Sequence, residues 1–316
     1  MIMAHLLELL ADVRIPQPIV ETSDVDTPVA NTWVPDWMIG AFRRRSISFA
    51  NGQTDTKTRV FWLQSRGLTI DLRLPLMSEQ QVSESDQALN DGWYAHSLWN
   101  GTQLSWHKGA SQLAHNRWPE PAVLQRVGNC MMEFAPSAAY VEDWRLQPQL
   151  VESHQLTESN QLAESHQSAP LIGLELIAEK ELASGRETPR QGALIVCGDI
   201  AGWVLAPIAD GQFEASIGWV TASAVHEEKN EPKEYRVCHS LQLERYGQHL
   251  YPLDGFRFDE NSGYLHQTIQ GVERIFRIDS WVEKFNFNQA TTVDAEAEDW
   301  FQQEQAALGR YLETVC

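Results

Sequence analysis

Positive charge is scarce in this chain. Its 316 residues carry 24 Lys and Arg against 43 Asp and Glu, a formal net charge of −19. A uniformly acidic surface repels phosphate backbones and anionic lipid, which excludes a broad nucleic-acid footprint. The one basic run, Arg43-Arg44-Arg45, is too short to be a binding patch and reads as three arginines spread over both faces of an edge strand. Cysteine is sparse too. Cys130, Cys197, Cys238 and Cys316 lie far apart without a C-x-x-C pair, the usage of free thiols in a reducing compartment. Long apolar runs are missing. The opening stretch M-I-M-A-H-L-L-E-L-L-A-D lacks a basic leader and a cleavage pattern and is too short to span a bilayer. The expectation is a cytoplasmic protein with no membrane span and no nucleic-acid partner. Also missing are G-x-S-x-G, H-E-x-x-H, G-x-x-x-x-G-K-[ST] and G-x-G-x-x-G. That removes several large enzyme classes. It weighs against catalysis, and no metal and no cofactor is expected.

What is present is β pattern. Residues 58–64 are β-branched and aromatic, Ser65-Arg66-Gly67 supplies a turn, and residues 68–74 alternate before Pro75. Leu68, Ile70, Leu72 and Leu74 form the obvious core set, so Asp71 and Arg73 are expected on the solvent face. Further strands are expected at 42–49, in a hairpin across Asn100-Gly101 between 92 and 107, and at 130–134 and 139–146. Residues 108–128 read as irregular.

Residues 151–168 repeat a polar six-residue unit, V-E-S-H-Q-L, T-E-S-N-Q-L, A-E-S-H-Q-S. The period fits neither helix nor heptad, so the segment reads as a linker. Its His154 and His166 have no clustered ligands around them and read as solvated. Beyond it, Gly192 to Pro207 repeats the strand–turn–strand–proline order of the first hairpin. Trp219 and Ile278-Asp279-Ser280-Trp281 echo Trp99 and Val141-Glu142-Asp143-Trp144. The common order argues for an internal duplication. Later strands are expected at 233–243, 255–258, 264–270 and 273–282. Residues 294–314 form the only long helical pattern, expected to pack across a barrel end or between the halves.

The expected fold is all-β: two antiparallel lipocalin-like β-barrels in tandem, plus a C-terminal α-helix. The divisions are an N-terminal arm (1–32), a first barrel (33–148), a linker (149–170), a second barrel (171–290) and the helix (291–316). The runs R-V-F-W-L-Q, D-L-R-L-P, L-S-W-H and Y-V-E-D-W resemble a family of uncharacterised bacterial and fungal proteins with two lipocalin-like halves. Its fungal members include a casein-kinase-interacting protein. The resemblance covers residues 40–146 best and the second half only diffusely. It implies the double barrel and no particular activity.

The candidate site is the interior of the first barrel. If its strands turn their polar residues inward, Arg73 and Glu142 pair in an aromatic cavity with Trp62, Trp106, Tyr140 and Trp144, since neither charge is tolerated inside alone. Arg73 could then grip a carboxylate. The twelve tryptophans suit core packing as readily as a ligand box. The expected function is non-catalytic binding of a small, largely apolar or carboxylate-bearing ligand. The alternatives are a protein–protein interaction scaffold with side-chain-filled barrels, and an enzyme using Glu142 and a histidine at a barrel mouth.

Overall fold

A computed structural model of the protein describes residues 4–13, 33–74, 90–113, 120–148, 168–208, 211–220, 234–287 and 290–311. Nearly all of the 151–168 linker and most of the N-terminal arm lie outside the described residues.

The chain is all-β apart from short helical pieces, as the alternation predicts. The first half holds β1 (Gly40–Phe49), β2 (Thr54–Asp55), β3 (Arg59–Gln64), β4 (Leu68–Leu74), β5 (Asp91–Trp99), β6 (Leu104–Ser111), β7 (Val123–Val127), β8 (Cys130–Phe134) and β9 (Tyr140–Leu146). They form one antiparallel sheet in the order β6-β5-β4-β3-β1-β9-β8-β7, with β2 paired to β1. The sheet curls until its ends meet. Leu104 and Ala122 exchange backbone hydrogen bonds of 2.9 and 2.7 Å, joining the start of β6 to the entry of β7. Closure satisfies edge groups that an open sheet would leave bare. Two expectations are corrected here. The stretch read as irregular contains the end of β6 and the whole of β7. And β1, read as an edge, is a central strand between β3 and β9.

The second half repeats this plan. Its strands are β10 (Ser168–Glu181), β11 (Glu187–Cys197), β12 (Ile200–Leu205), β13 (Glu214–Val220), β14 (Tyr235–Ser240), β15 (Phe256–Asp259), β16 (Tyr264–Ile269) and β17 (Val272–Asn286). The order is β14-β13-β12-β11-β10-β17-β16-β15. Strand for strand this matches the first sheet without β2. The hairpin β3–β4 corresponds to β11–β12, and Trp144 on β9 to Trp281 on β17.

The interior of the second sheet is filled. Leu174, Leu194, Trp203, Tyr251, Phe256 and Phe276 form its buried cluster, and helix α1 (Leu6–Asp12) adds Leu6, Leu9 and Leu10. The helix is tied down at both ends. Ala4 pairs with Phe256, and Trp281 Nε1 donates to the Val13 carbonyl at 3.0 Å. A seven-residue helix has no stability of its own; burial of its three leucines holds it in place.

The halves pack sheet against sheet. Leu63, Ile70 and Leu72 of the first share a cluster with Ala193, Ile195 and Ile217 of the second. Asp279 of β17 accepts from Ser65 Oγ at 2.6 Å, and Ser280 Oγ accepts from the Arg66 amide at 3.0 Å. His96 Nε2 meets Glu175 Oε1 at 2.9 Å across the same seam.

This seam explains a reversed expectation. The leucine and isoleucine face of β4 is covered by the second half, and its other face is covered by the lumen of its own sheet. Asp71 is therefore 3% exposed instead of solvated, and Arg73 points inward beside it. Helix α2 (Ala295–Leu308) reverses another expectation. It packs against neither half: Trp300, Phe301 and Leu308 are all exposed, with Trp300 at 57%. Its alanines, glutamines and acids leave too little apolar area to hold it on a sheet.

Candidate functional site

Inward positions of the first sheet converge on one cavity. Trp62 comes from β3, Thr69, Asp71 and Arg73 from β4, Trp93 from β5, Trp106 from β6, Glu133 from β8, and Glu142 and Trp144 from β9. The space left among these side chains is about 10 Å³, room for one water. Of the residues expected from the sequence, Trp62, Arg73, Trp106, Glu142 and Trp144 line this cavity together. Tyr140 stands at its edge and reaches it through Glu133, to which its hydroxyl donates at 3.2 Å.

The rings are fixed by each other and by their indole N–H groups. Trp62 meets Trp144 edge-on at 5.4 Å and Trp106 at 6.2 Å, and Trp106 meets Trp93 at 6.1 Å. Trp62 Nε1 donates to Gln64 Oε1 at 3.0 Å, Trp106 Nε1 to Thr69 Oγ1 at 3.1 Å, and Trp144 Nε1 to Glu133 Oε2 at 3.0 Å. A buried indole needs such a partner.

A β-bulge sets the aim of Trp106. Tyr94 pairs with Ala110 and His96 with His107, so Lys108 and Gly109 together oppose the single residue Ala95. Trp106 and Ser111 are an odd number of residues apart and would face opposite sides of a regular strand. The extra residue turns both inward, Trp106 opposite Ser97 and Ser111 opposite Trp93. Lys108 and Gly109 take φ of 56° and 78° to do so.

The floor of the cavity is charged. Arg73 is held by Asp71, with Nε to Oδ1 at 2.7 Å, and Asp91 lies opposite it across the β4–β5 ladder. Arg44 crosses from β1 to Glu142 at 2.7 Å and to Asp55 at 2.8 Å. Glu133 and Glu142 are directly paired across β8 and β9. Burial, together with the charge of Glu142, pushes the Glu133 carboxyl well above its usual value. Glu142 is also raised by burial, but Arg44 and Arg73 offset that cost. A proton shared by the pair therefore sits on Glu133, which among the described residues has no guanidinium at bonding distance.

Asp91 is pushed up to about 6, first by burial and then by the charge of Asp71. This gives a signed expectation. An acid raised in the fold favours folding while it is protonated and costs stability once ionised. The contribution of Asp91 to stability should fall as pH rises from about 4 to about 6. Asp91→Asn should therefore gain about 2 kcal/mol at pH 7 and almost nothing at pH 4, read by urea unfolding at both values. Equal shifts at the two pH values would remove this account of Asp91.

Sequence reasoning missed Thr69, Trp93 and Glu133. Glu133 was within reach: a hairpin turning at Pro136 pairs Glu133 with Glu142, so the one implies the other on the same face. Among the described residues, no group of three His, Cys, Asp or Glu is placed to hold a metal ion, and no helix is long and apolar enough to cross a membrane. Comparison with protein-family models, with curated proteins and with solved structures found no match.

Proposed function

We propose that the first sheet binds a small, largely apolar ligand without transforming it. The observation that carries this reading is the convergence of four tryptophans on a charged floor, with Trp106 and Arg73 only partly buried. A lumen built only for stability would be filled with aliphatic side chains, since buried ion pairs contribute little over an apolar replacement. As packed, the lumen has room for about one water, about 10 Å³, so a ligand enters by displacing a ring such as Trp106.

The charge balance also bears on its polar end. Arg73 is already gripped by Asp71, with Asp91 and Glu142 nearby, so an incoming carboxylate would compete against three acids. A hydrogen-bond donor or an ammonium group suits the site better, with the tryptophan faces adding cation–π attraction. Calorimetric titration of the full chain with benzylamine, benzoate and toluene tests this. Benzylamine should bind most tightly, with Trp106→Ala altering its affinity. Absence of saturable binding by all three would sink the proposal, and tighter binding of benzoate would reverse the polar assignment.

A second reading has its own observation. Helix α2 leaves Trp300 and Phe301 exposed, and described side chains fill the second sheet beneath α1. Those features favour a scaffold that engages a protein partner through α2. The repeated strand order supports an internal duplication.

A further inference from the structure

The outer face of the first sheet carries a second cluster, away from the lumen. Arg43 of β1 lies directly opposite Phe61 of β3, and Arg59 lies two residues before Phe61, so all three share one face. Phe61 stacks on His239 of β14, with ring centroids 4.3 Å apart and planes 26° apart. Trp219 of β13 meets Phe61 edge-on at 5.7 Å and His239 at 5.4 Å. The cluster therefore sits on the seam, with arginines from one half and imidazole and indole from the other.

Two of its polar atoms lack a hydrogen-bond partner among the described residues. Arg59 Nε and His239 Nδ1 are buried with no hydrogen-bond partner. Neither Arg43 nor Arg59 has a side-chain partner among the described residues. Elsewhere this acidic chain pairs its arginines freely: Arg44 with Glu142, Arg73 with Asp71, Arg257 with Glu273, Arg274 with Glu179 and Arg277 with Glu175. Among the described residues no carboxylate bonds either guanidinium or the imidazole, and Asp143, the acid beside them on β9, is taken by Arg145 opposite Arg43. The imidazole is pushed down to about 4, by burial first and then by Arg59 and Arg43, with no negative charge to offset them. Buried donors without partners are rare in native proteins, and a chain with 43 acids had many ways to supply one.

We propose that this seam is an anion-binding site for the phosphate or carboxylate group of a small molecule. The oxyanion bridges Arg43 and Arg59, with His239 Nδ1 as a further contact and the Phe61–His239–Trp219 rings as an apolar wall. Guanidiniums match such oxyanions with paired N–H donors. Because residues of both halves form it, occupancy would also brace the seam. The site is separate from the lumen, and neither reading depends on the other.

The test is calorimetric titration of the full chain with inorganic phosphate and with acetate, at constant ionic strength set by chloride. Wild type should bind at least one of them saturably at one site per chain. The double variant Arg43→Gln/Arg59→Gln should weaken that binding at least tenfold, and Arg43→Gln alone several-fold. Arg186→Gln, on a distant exposed turn, should leave it unchanged. Circular dichroism checks that each variant is folded. Binding of phosphate alone or acetate alone would assign the anion class. No saturable binding to wild type, or equal binding by the double variant, would overturn the proposal.

Discussion

Glu142→Gln should destabilise the protein by about 3 kcal/mol at pH 7, whereas Glu133→Gln should change stability by less than about 1 kcal/mol. The two glutamates are cross-strand neighbours and both are almost wholly buried, at 1% and 2% exposed. Burial alone would predict the same result for each. Their partners separate them. Glu142 accepts the Arg44 guanidinium at 2.7 Å, and its neutral replacement leaves Arg44 with Asp55 alone, in a site 5% exposed. A buried cation stripped of a partner carries a cost of several kcal/mol. Glu133 instead receives neutral donors, Tyr140 and Trp144, and favours its own protonated form. Glutamine reproduces that form: its oxygen accepts from Trp144, and its amide can donate to the Tyr140 hydroxyl, which rotates to accept. Urea unfolding of both variants reads the difference. Equal losses would mean that Glu133 is ionised and the proton assignment is wrong.

Gly109→Ala is expected to cost more than 3 kcal/mol, or to prevent folding. A Cβ at this position would lie 2.0 Å from the Tyr94 carbonyl oxygen and 2.8 Å from Ala95 Cα, with φ at +78°. The obstruction is backbone of the paired strand, so no side chain can swing aside. Relief requires the bulge to slip, and a slip of one residue turns Trp106 out of the lumen. Gly101→Ala is the control. Gly101 has a φ of +96° in the β5–β6 turn, but nothing lies within 4 Å of its added Cβ. Only the conformational cost of about 1 kcal/mol applies there. Thermal melting of the pair, with tryptophan emission followed for Trp106, separates strain from obstruction. Similar losses at both positions would show that the bulge is not rigidly required.

The limits of sequence reading here have physical causes. The β3–β4 hairpin was legible because residues 68–74 alternate strictly around a glycine turn. The same alternation misplaced Asp71 and Arg73. A strand buried on both faces by different layers carries polar residues toward a lumen, and one period-two pattern cannot distinguish a lumen from solvent. Five of the six residues picked for the interior do line the cavity, because aromatic residues flanked Glu142 on its own face. Thr69 shares the Asp71 and Arg73 face of β4 and Trp93 lies opposite Asp71 on β5, so both escaped notice for the same reason: that face was assigned to solvent. The repeated strand order was foreshadowed by Trp219 and Ile278-Asp279-Ser280-Trp281, whereas the plugging of the second sheet by α1 was not. Nothing in Leu6, Leu9 and Leu10 names the surface that they cover.

Native mass spectrometry of the protein purified from its own host, beside its denatured mass, tests the central claim most directly. The account predicts a discrete added mass of a small molecule that disappears on denaturation and diminishes in Gly109→Ala if that variant folds. A bare chain mass in every preparation, with no adduct regained on incubation with benzylamine, would contradict a binding lumen and leave the exposed face of α2 as the place to look for function.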